Sequence, residues 1–213
     1  MNIKNLIFIP CYNCEIQILR VLKKLVILSE IYYFDVIIIN NKSRDKTSSN
    51  IKQFFLNKNI NPIKNNFKLF ENKENYGLGG SHKIAYEYFY DHNYENLIIH
   101  QGDDQGDPED LLIALQEKEN DTKLIMGSRF KNLNKIRGYS KIKIIFNLTF
   151  NIIASIILKK KIYELSSGQL IINRDLLKNK TYKKFPNELW FNYYFFFYNI
   201  LINSKYEFCE IKW

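Results

Sequence analysis

Residues 96–111 read NLIIHQGDDQGDPEDL, and this stretch decides the fold. It opens on an apolar run that predicts a buried strand, and an acidic loop follows at 102–107. Pro108 suits the first turn of a helix that has Asp107 at its N-cap. A buried strand, an acidic loop and a helix in succession predict one unit of an α/β sheet, with ligand-binding groups at the strand end.

The same alternation extends over 1–130. Further apolar runs predict strands at 4–9, 34–39, 67–70 and 123–126, and apolar periodicity predicts helices at 15–28, 47–57 and from the glycine-rich turn at 76–81 to about 92. Continuously apolar strands of this kind predict a mostly parallel α/β sheet with helices on both faces. Four polar loops, at 10–14, 40–47, 76–81 and 101–107, then converge on one edge of the sheet.

The distribution of charge divides the chain of 213 residues into two parts. Residues 1–130 carry 16 basic and 17 acidic side chains, whereas residues 131–213 carry 15 basic and 5 acidic ones, so the formal net charge of +9 lies in the second part. A hydrophobic content of 46% excludes a disordered chain. Three cysteines and the absence of an apolar leader before Pro10 favour a protein of the cytoplasm.

Residues 144–158 read IIFNLTFNIIASIIL and are apolar apart from a few positions. Asn147, Asn151 and Ser155 follow one another at intervals of four, which predicts a single polar stripe on a helix. We expect this helix to be too short to cross a bilayer. Lysines on both of its flanks predict instead a peripheral membrane contact through 141–161.

The acidic loop at 102–107 supplies a candidate metal ligand. Asp103 directly follows the strand and Gly102, so its carboxylate is expected to face the crevice, where Mg²⁺ or Mn²⁺ binds such hard oxygens. For Asp107, Glu109 and Asp110 the favoured interpretation is that of acidic residues at a helix start, which need no role in ligand binding. Cys11 and Cys14 have the spacing of a redox pair, but incidental thiols are the favoured interpretation.

Seven segments, in order, resemble family 2 glycosyltransferases with the GT-A (Rossmann-like) fold, closest in pattern to the polyprenyl- or dolichyl-phosphate hexosyltransferase branch. The segments are IFIPCYN at 7–13, VIIINNKSRDKT at 36–47, NYGLGGSHKIA at 75–85, QGDDQGDPE at 101–109, GSRF at 127–130, ELSSGQLIINRD at 164–175 and CEI at 209–211. The resemblance covers the chain as one GT-A domain, with 1–130 as its nucleotide-sugar-binding half and 131–213 as its basic, acceptor- and membrane-facing half.

The resemblance implies roles for particular residues. A nucleotide-diphospho-sugar would be bound by Pro10, Tyr12, Asn40, Asn41, Ser43, Asp45, Gly77, Gly79 and Gly102. Asp103 and Gln105 would hold Mg²⁺ or Mn²⁺. The catalytic set would be Asp103, Arg129, Lys143 and Glu188, with Arg129 and Lys143 on phosphate oxygens and Glu188 as the candidate base.

The chain departs from the family pattern in that Asn40, Asn41 and Gln101 stand where the family has aspartates, and Cys14 stands where it has a glutamate. The expected reaction is metal-assisted and inverting: transfer of a hexose from a UDP- or GDP-sugar to a polyprenyl phosphate or a related lipid acceptor at the cytoplasmic face of the inner membrane. Two alternatives stay open, transfer to a saccharide hydroxyl in cell-surface glycan synthesis and an inactive module that binds nucleotide sugars. Nucleic acid is not an expected partner, although net charge alone would suggest it.

Overall fold

The computed structural model describes residues 4–56, 66–132, 136 and 140–212. The strands are β1 (Asn5–Cys11), β2 (Asp35–Asn40), β3 (Phe67–Glu71), β4 (Asn96–Ile99), β5 (Leu124–Ser128), β6 (Leu170–Asn173) and β7 (Tyr206–Glu210). They form one sheet in the order β3-β2-β1-β4-β6-β5-β7. Every neighbouring pair is parallel except the two pairs that include β6, so the prediction of a mostly parallel sheet is confirmed.

Helices cover both faces of the sheet, as predicted. They are α1 (Gln17–Leu28), α2 (Thr47–Leu56), α3 (Gly77–Asp91), α4 (Pro108–Glu117), α5 (Lys141–Leu158) and α6 (Phe191–Leu201), with short 3-10 helices at Arg174–Leu177 and Thr181–Lys184. Strand residues alternate between two cores. Leu6 and Phe8 pack with α3 and α6 on one face, whereas Ile7 and Ile9 pack with α1, α2 and α4 on the other.

The strand β6 was not predicted from the sequence. It lies antiparallel between β4 and β5, where Ile171 pairs with Ile98 on one side and with Ile125 on the other. The strand is too short to show a period, and the chain continues directly into a 3-10 helix. Together with β7, this strand places residues of the basic second part of the chain inside the same sheet as the strands of the first part.

The helix α5 is longer than predicted, and its predicted polar stripe is confirmed. It begins at Lys141, so it has 18 residues, and by length and composition it could cross a membrane, with a mean hydropathy of 1.7. The polar stripe faces the protein: Asn151 Nδ2 donates to the carbonyl of Tyr163 at 2.8 Å, and Ser155 Oγ accepts from the Ile162 N–H at 3.0 Å.

The outward side of α5 is apolar. Its most exposed large side chains are Ile142, Ile145, Phe146, Ile152, Ile156 and Ile157, each between 59% and 74% exposed. A helix on the surface of a soluble domain normally buries its apolar stripe and shows its polar face to water. The orientation of α5 is therefore reversed with respect to an ordinary surface helix.

Candidate active site

A cavity of about 580 Å³ lies at the carboxyl edge of the sheet. The chain leaves β1 towards β2 on one side and returns to β4 on the other, so the cavity opens at a topological switch point, where open α/β sheets bind ligands. All four predicted loops contribute to it. Its lining residues are Pro10, Cys11, Tyr12, Cys14, Asn41, Asn75, Gly77, Leu78, Ser81, Gln101, Gly102, Asp103, Glu188 and Leu189.

The turn after β1 is held by the loop after β2. The backbone N–H of Asn13, which has a φ of +52°, donates to Ser43 Oγ at 2.9 Å. The N–H of Glu15 donates to Asp45 Oδ2 at 3.1 Å. Ser43 and Asp45 therefore do not line the cavity as expected, because their oxygens are used to fix the turn that presents Tyr12.

The two asparagines at the end of β2 have different positions. Asn40 is buried beside the cavity, and its Oδ1 accepts from Ser43 N and Oγ at 3.1 and 2.6 Å, so it shapes the loop instead of facing a ligand. Asn41 lines the cavity, but its amide bridges to the next loop. Its Nδ2 donates to Asn75 Oδ1 at 2.7 Å, and its Oδ1 accepts from the Tyr76 N–H at 2.9 Å. An aspartate at position 41 would lack the donating group of this bridge.

The glycine-rich turn at the start of α3 is packed against the loop before α6. Gly77 lines the cavity with a φ of +73°, and a Cβ there would lie 2.3 Å from the Asn187 carbonyl oxygen. Gly79 does not line the cavity. A Cβ on Gly79 would meet the Pro186 carbonyl oxygen at 2.5 Å, so the expected ligand contact is replaced by close packing of backbone on backbone.

Two free cysteines form part of the cavity wall. Cys11 and Cys14 are both buried, and the hydrogen bond from the Cys11 thiol lowers the pKa of Cys14, whereas burial raises the pKa of Cys11. A Cβ on Gly102 would lie 2.5 Å from Cys11 Sγ. Gly102 is thus required for the acidic loop to approach the end of β1.

Two carboxylates of the acidic loop make structural contacts, and a third faces the cavity. Asp107 caps α4, accepting from the Glu109 N–H at 2.9 Å, and it pairs with Lys24. Asp104 pairs with Arg20 at 2.5 Å. Asp103 has no cationic partner among the described residues and faces the cavity, and burial raises the pKa of its carboxyl group.

The metal implied by the resemblance can be tested against these positions. Asp103 Oδ1 accepts from the Gln105 N–H at 3.3 Å, so the two expected ligands are adjacent. In the part of the chain that the structure describes, no group of three or more His, Cys, Asp or Glu side chains is placed to hold a metal. One carboxylate and a neighbouring amide fit Mg²⁺ or Mn²⁺ that shares its coordination with ligand phosphates, and such an ion would neutralise a leaving diphosphate.

The cleft continues beyond Asp103 into a second chamber of about 250 Å³. Leu78, Gln101, Asp103 and Leu189 line both chambers, so the two form one continuous cleft. Gln101 Nε2 donates to the Gly168 carbonyl at 2.8 Å and ties the acidic loop to the segment before β6. The remaining walls are Gln105, Leu165, Ser166, Ser167, Gly168, Asn192 and Tyr193. Asn192 and Tyr193 lie within the aromatic run at 190–198, for which the sequence favours core packing and leaves a wall for an acceptor lipid as the alternative.

Arg129 and Lys143 lie outside the cleft. The Arg129 side chain is buried in an ion pair with Glu164, whose Oε1 accepts from Arg129 Nε at 2.6 Å. Arg129 also donates at 2.9 Å to Ser166 Oγ, a hydroxyl of a residue that lines the second chamber. Lys143 is exposed in the first turn of α5 and lines neither chamber. The structure therefore places neither predicted phosphate-binding residue in the cleft lining: Arg129 is buried in its ion pair and Lys143 is exposed on α5.

Glu188 is the acidic side chain that the second part of the chain contributes to the cavity lining. The Glu188 side chain is exposed. Burial lowers the pKa of Lys83, and the negative charge of Glu188 partly offsets that effect. Lys83 Nζ donates to the Phe185 carbonyl at 2.5 Å and to Asn187 Oδ1 at 2.7 Å, which holds the loop that carries Glu188.

Residues 6–180 match the family model described as "Glycosyl transferase family 2". The chain belongs to this family. The predicted GT-A fold and the prediction of a nucleotide-sugar-dependent glycosyltransferase are confirmed by this membership. No curated protein matches the glycosyltransferase.

Solved structures show the same fold at low sequence identity. Glucosyl-3-phosphoglycerate synthase from Mycobacterium tuberculosis, in complex with Mn²⁺, UDP and phosphoglyceric acid, is 10% identical, with a TM-score of 0.68 over 97% of the glycosyltransferase and 68% of that chain. The same synthase with Mg²⁺ and UDP has a TM-score of 0.69, 10% identity and coverages of 99% and 70%. S. aureus TarS 1–349 is 19% identical, with a TM-score of 0.63 over 97% of the glycosyltransferase and 57% of that chain.

Proposed function

We propose that the protein transfers a hexose from UDP- or GDP-hexose to the phosphate of a polyprenyl phosphate, with inversion, while bound to the cytoplasmic face of the inner membrane. The observation that carries this proposal is the reversed helix α5, whose polar stripe bonds to the segment 162–166 next to the second chamber. The apolar outer side of α5 thereby brings the acceptor end of the cleft next to a surface suited to lipid.

In this proposal the donor occupies the 580 Å³ chamber, with its base near Tyr12 and its diphosphate near Asp103. The synthase of known structure that was solved with UDP and a divalent metal supports this arrangement by analogy of fold. The acceptor phosphate enters from the 250 Å³ chamber and attacks the sugar carbon from the side opposite the diphosphate. Asp103 lies between the two because it lines both chambers.

A thermal-shift screen of UDP-, GDP-, CDP- and dTDP-sugars, each with and without Mn²⁺, tests the donor site. We expect UDP- or GDP-hexose to stabilise the protein in a metal-dependent manner, since a ligand that binds only the native state raises its melting temperature. The selected donor is then incubated with farnesyl phosphate, and release of nucleoside diphosphate is measured. Stabilisation without release, with lipid phosphates and saccharides alike, would instead support an inactive binding module.

The nature of the acceptor is tested at Glu188. A phosphate acceptor is already ionised and needs no general base, so Glu188→Gln is expected to change the rate of transfer to farnesyl phosphate less than about fivefold. A saccharide hydroxyl needs a base, and Glu188 lines the 580 Å³ chamber next to the one through which the acceptor enters. Removal of a general base costs about 10²–10⁴-fold in rate. A loss of that size, together with labelling of saccharides, would select the hydroxyl acceptor.

The membrane contact is tested by neutralising lysines on α5 and its flank. Each basic residue near an anionic surface contributes about 1 kcal/mol, so Lys143→Gln combined with Lys160→Gln is expected to weaken binding to phosphatidylglycerol vesicles by about 30-fold. Co-sedimentation measures this. Lys23→Gln with Lys52→Gln on α1 and α2, which cover the opposite face of the sheet, is the matched control. Equal losses in both variants would contradict an oriented contact.

A further inference from the structure

The helix α6 is apolar around most of its circumference. Its inner side packs into the core, with Phe191, Phe195, Phe196 and Ile200 buried. Its outer side repeats apolar and aromatic residues at intervals of three and four, at Trp190, Tyr193, Tyr194, Phe197, Tyr198 and Leu201. A helix that is apolar on all sides is normally buried on all sides. Here Trp190 is 62% exposed and Leu201 is 70% exposed.

The outer side of α6 is the floor of an open groove. Phe185 and Pro186 complete its wall, and the groove has a volume of about 670 Å³, within the range of small-molecule sites. Every residue of its lining is apolar or aromatic. The Tyr198 hydroxyl is already engaged, since it accepts from Asn179 Nδ2 at 3.1 Å. The groove therefore suits an apolar chain.

Tyr193 joins this groove to the active site. Its side chain lines both the groove and the 250 Å³ chamber beside Asp103. It also meets Phe150 of α5 edge to face, with ring centroids 6.2 Å apart. The groove thus lies beside both the polar end of the cleft and the helix α5, with Tyr193 between them.

The 250 Å³ chamber and the groove on α6, which lie on either side of Tyr193, differ in polarity. The chamber contains Ser166, Ser167 and Asn192, and the Ser166 hydroxyl contacts both Arg129 and the Glu164 carboxylate that pairs with it. The groove beyond Tyr193 is apolar throughout. A ligand that occupies both needs a compact polar head and an apolar chain.

We propose that the groove on α6 binds the apolar chain of the acceptor, and that Tyr193 marks the boundary between this chain and its phosphate head. This inference rests on the proposed function for the identity of the head group. It adds a chain-binding site beside the catalytic cleft, and it predicts that acceptor affinity depends on the length of the chain.

Binding is measured by the fluorescence emission of Trp190. The sequence has two tryptophans, so Trp213→Phe leaves Trp190 as the sole one. Farnesyl phosphate is expected to change the emission of Trp190 in this variant, whereas inorganic phosphate is not. Burial of one large apolar side chain against a ligand corresponds to about tenfold or more in affinity. Tyr194→Ser and Leu201→Ser, both at exposed positions, are therefore expected to weaken farnesyl phosphate binding about tenfold each. Ile27→Ser, an exposed apolar position on α1, is the control.

Steady-state kinetics separate this inference from the proposed function. The groove variants are expected to raise KM for farnesyl phosphate and to leave KM for the nucleotide sugar unchanged. If farnesyl phosphate changed the emission of Trp190 but received no sugar, the groove site would be supported and the proposed acceptor would be wrong. Transfer to farnesyl phosphate with KM unaffected by Tyr194→Ser and Leu201→Ser would overturn the groove. Concentration-dependent dimerisation that these variants abolish, with Trp190 emission indifferent to farnesyl phosphate, would overturn it in favour of a second copy of the chain.

Discussion

Replacement of Asp103 by asparagine is expected to reduce the rate of sugar transfer about 100-fold or more. Asp103 is the carboxylate of the acidic loop that faces the cleft without a cationic partner among the described residues, and it lines both chambers. Metal-assisted neutralisation of a leaving group is worth several kcal/mol, and about 1.4 kcal/mol corresponds to tenfold in rate. Initial rates of nucleoside diphosphate release, measured over a titration of Mn²⁺, report this loss.

The neighbouring aspartate provides the control. Asp104 is adjacent in sequence, but its carboxylate pairs with Arg20 on α1, away from the cleft. Asp104→Asn is expected to stay within about threefold of the parent rate, because exposed ion pairs contribute about 0–1 kcal/mol. If Asp103→Asn kept full activity at every Mn²⁺ concentration, the assignment of the acidic loop to the leaving group would be wrong.

Replacement of Arg129 by alanine is expected to lower the free energy of unfolding by about 3–5 kcal/mol, the cost of leaving one member of a buried ion pair without its partner. The Glu164 side chain is fully buried, and it accepts from both the backbone N–H and the guanidinium of Arg129. Chemical denaturation followed by circular dichroism measures the difference.

The double variant Arg129→Met with Glu164→Leu separates charge from packing. Removal of both charges from a buried pair is often neutral or stabilising, so the double variant is expected to recover most of the stability that Arg129→Ala loses. A double variant as unstable as the single one would show that Arg129 acts mainly through its other contacts, such as the one with Ser166.

The alternation of strands and helices in the first part of the chain was predictable because its signals are local. Strands β1, β2 and β4 are apolar runs that end in polar loops, and helix α4 begins at an Asp-Pro pair with the expected cap. The carboxyl ends of parallel strands meet at one edge, so the convergence of the loops followed from the order of the elements alone.

Features that depend on distant contacts were not predictable. Arg129 lies in the GSRF segment that resembles the family pattern. Its partner Glu164 lies 35 positions further on, and no local pattern indicates that the two are buried together. The exposed side of α5 is another case. Its period shows a polar stripe and an apolar side, and only the contacts of Asn151 and Ser155 show that the polar stripe is the one turned inwards.

The position of β6 has a consequence for how the chain is made. Because β6 lies between β4 and β5, the sheet stays open in its middle until 170–173 have left the ribosome, although β1 to β5 are complete once Ser128 has been added. Pairing between such distant segments is slow compared with local structure. The edges of β4 and β5 that later pair with β6 stay unpaired over that interval, and unpaired strand edges are templates for pairing with other chains until the buried isoleucines of β6 cover them.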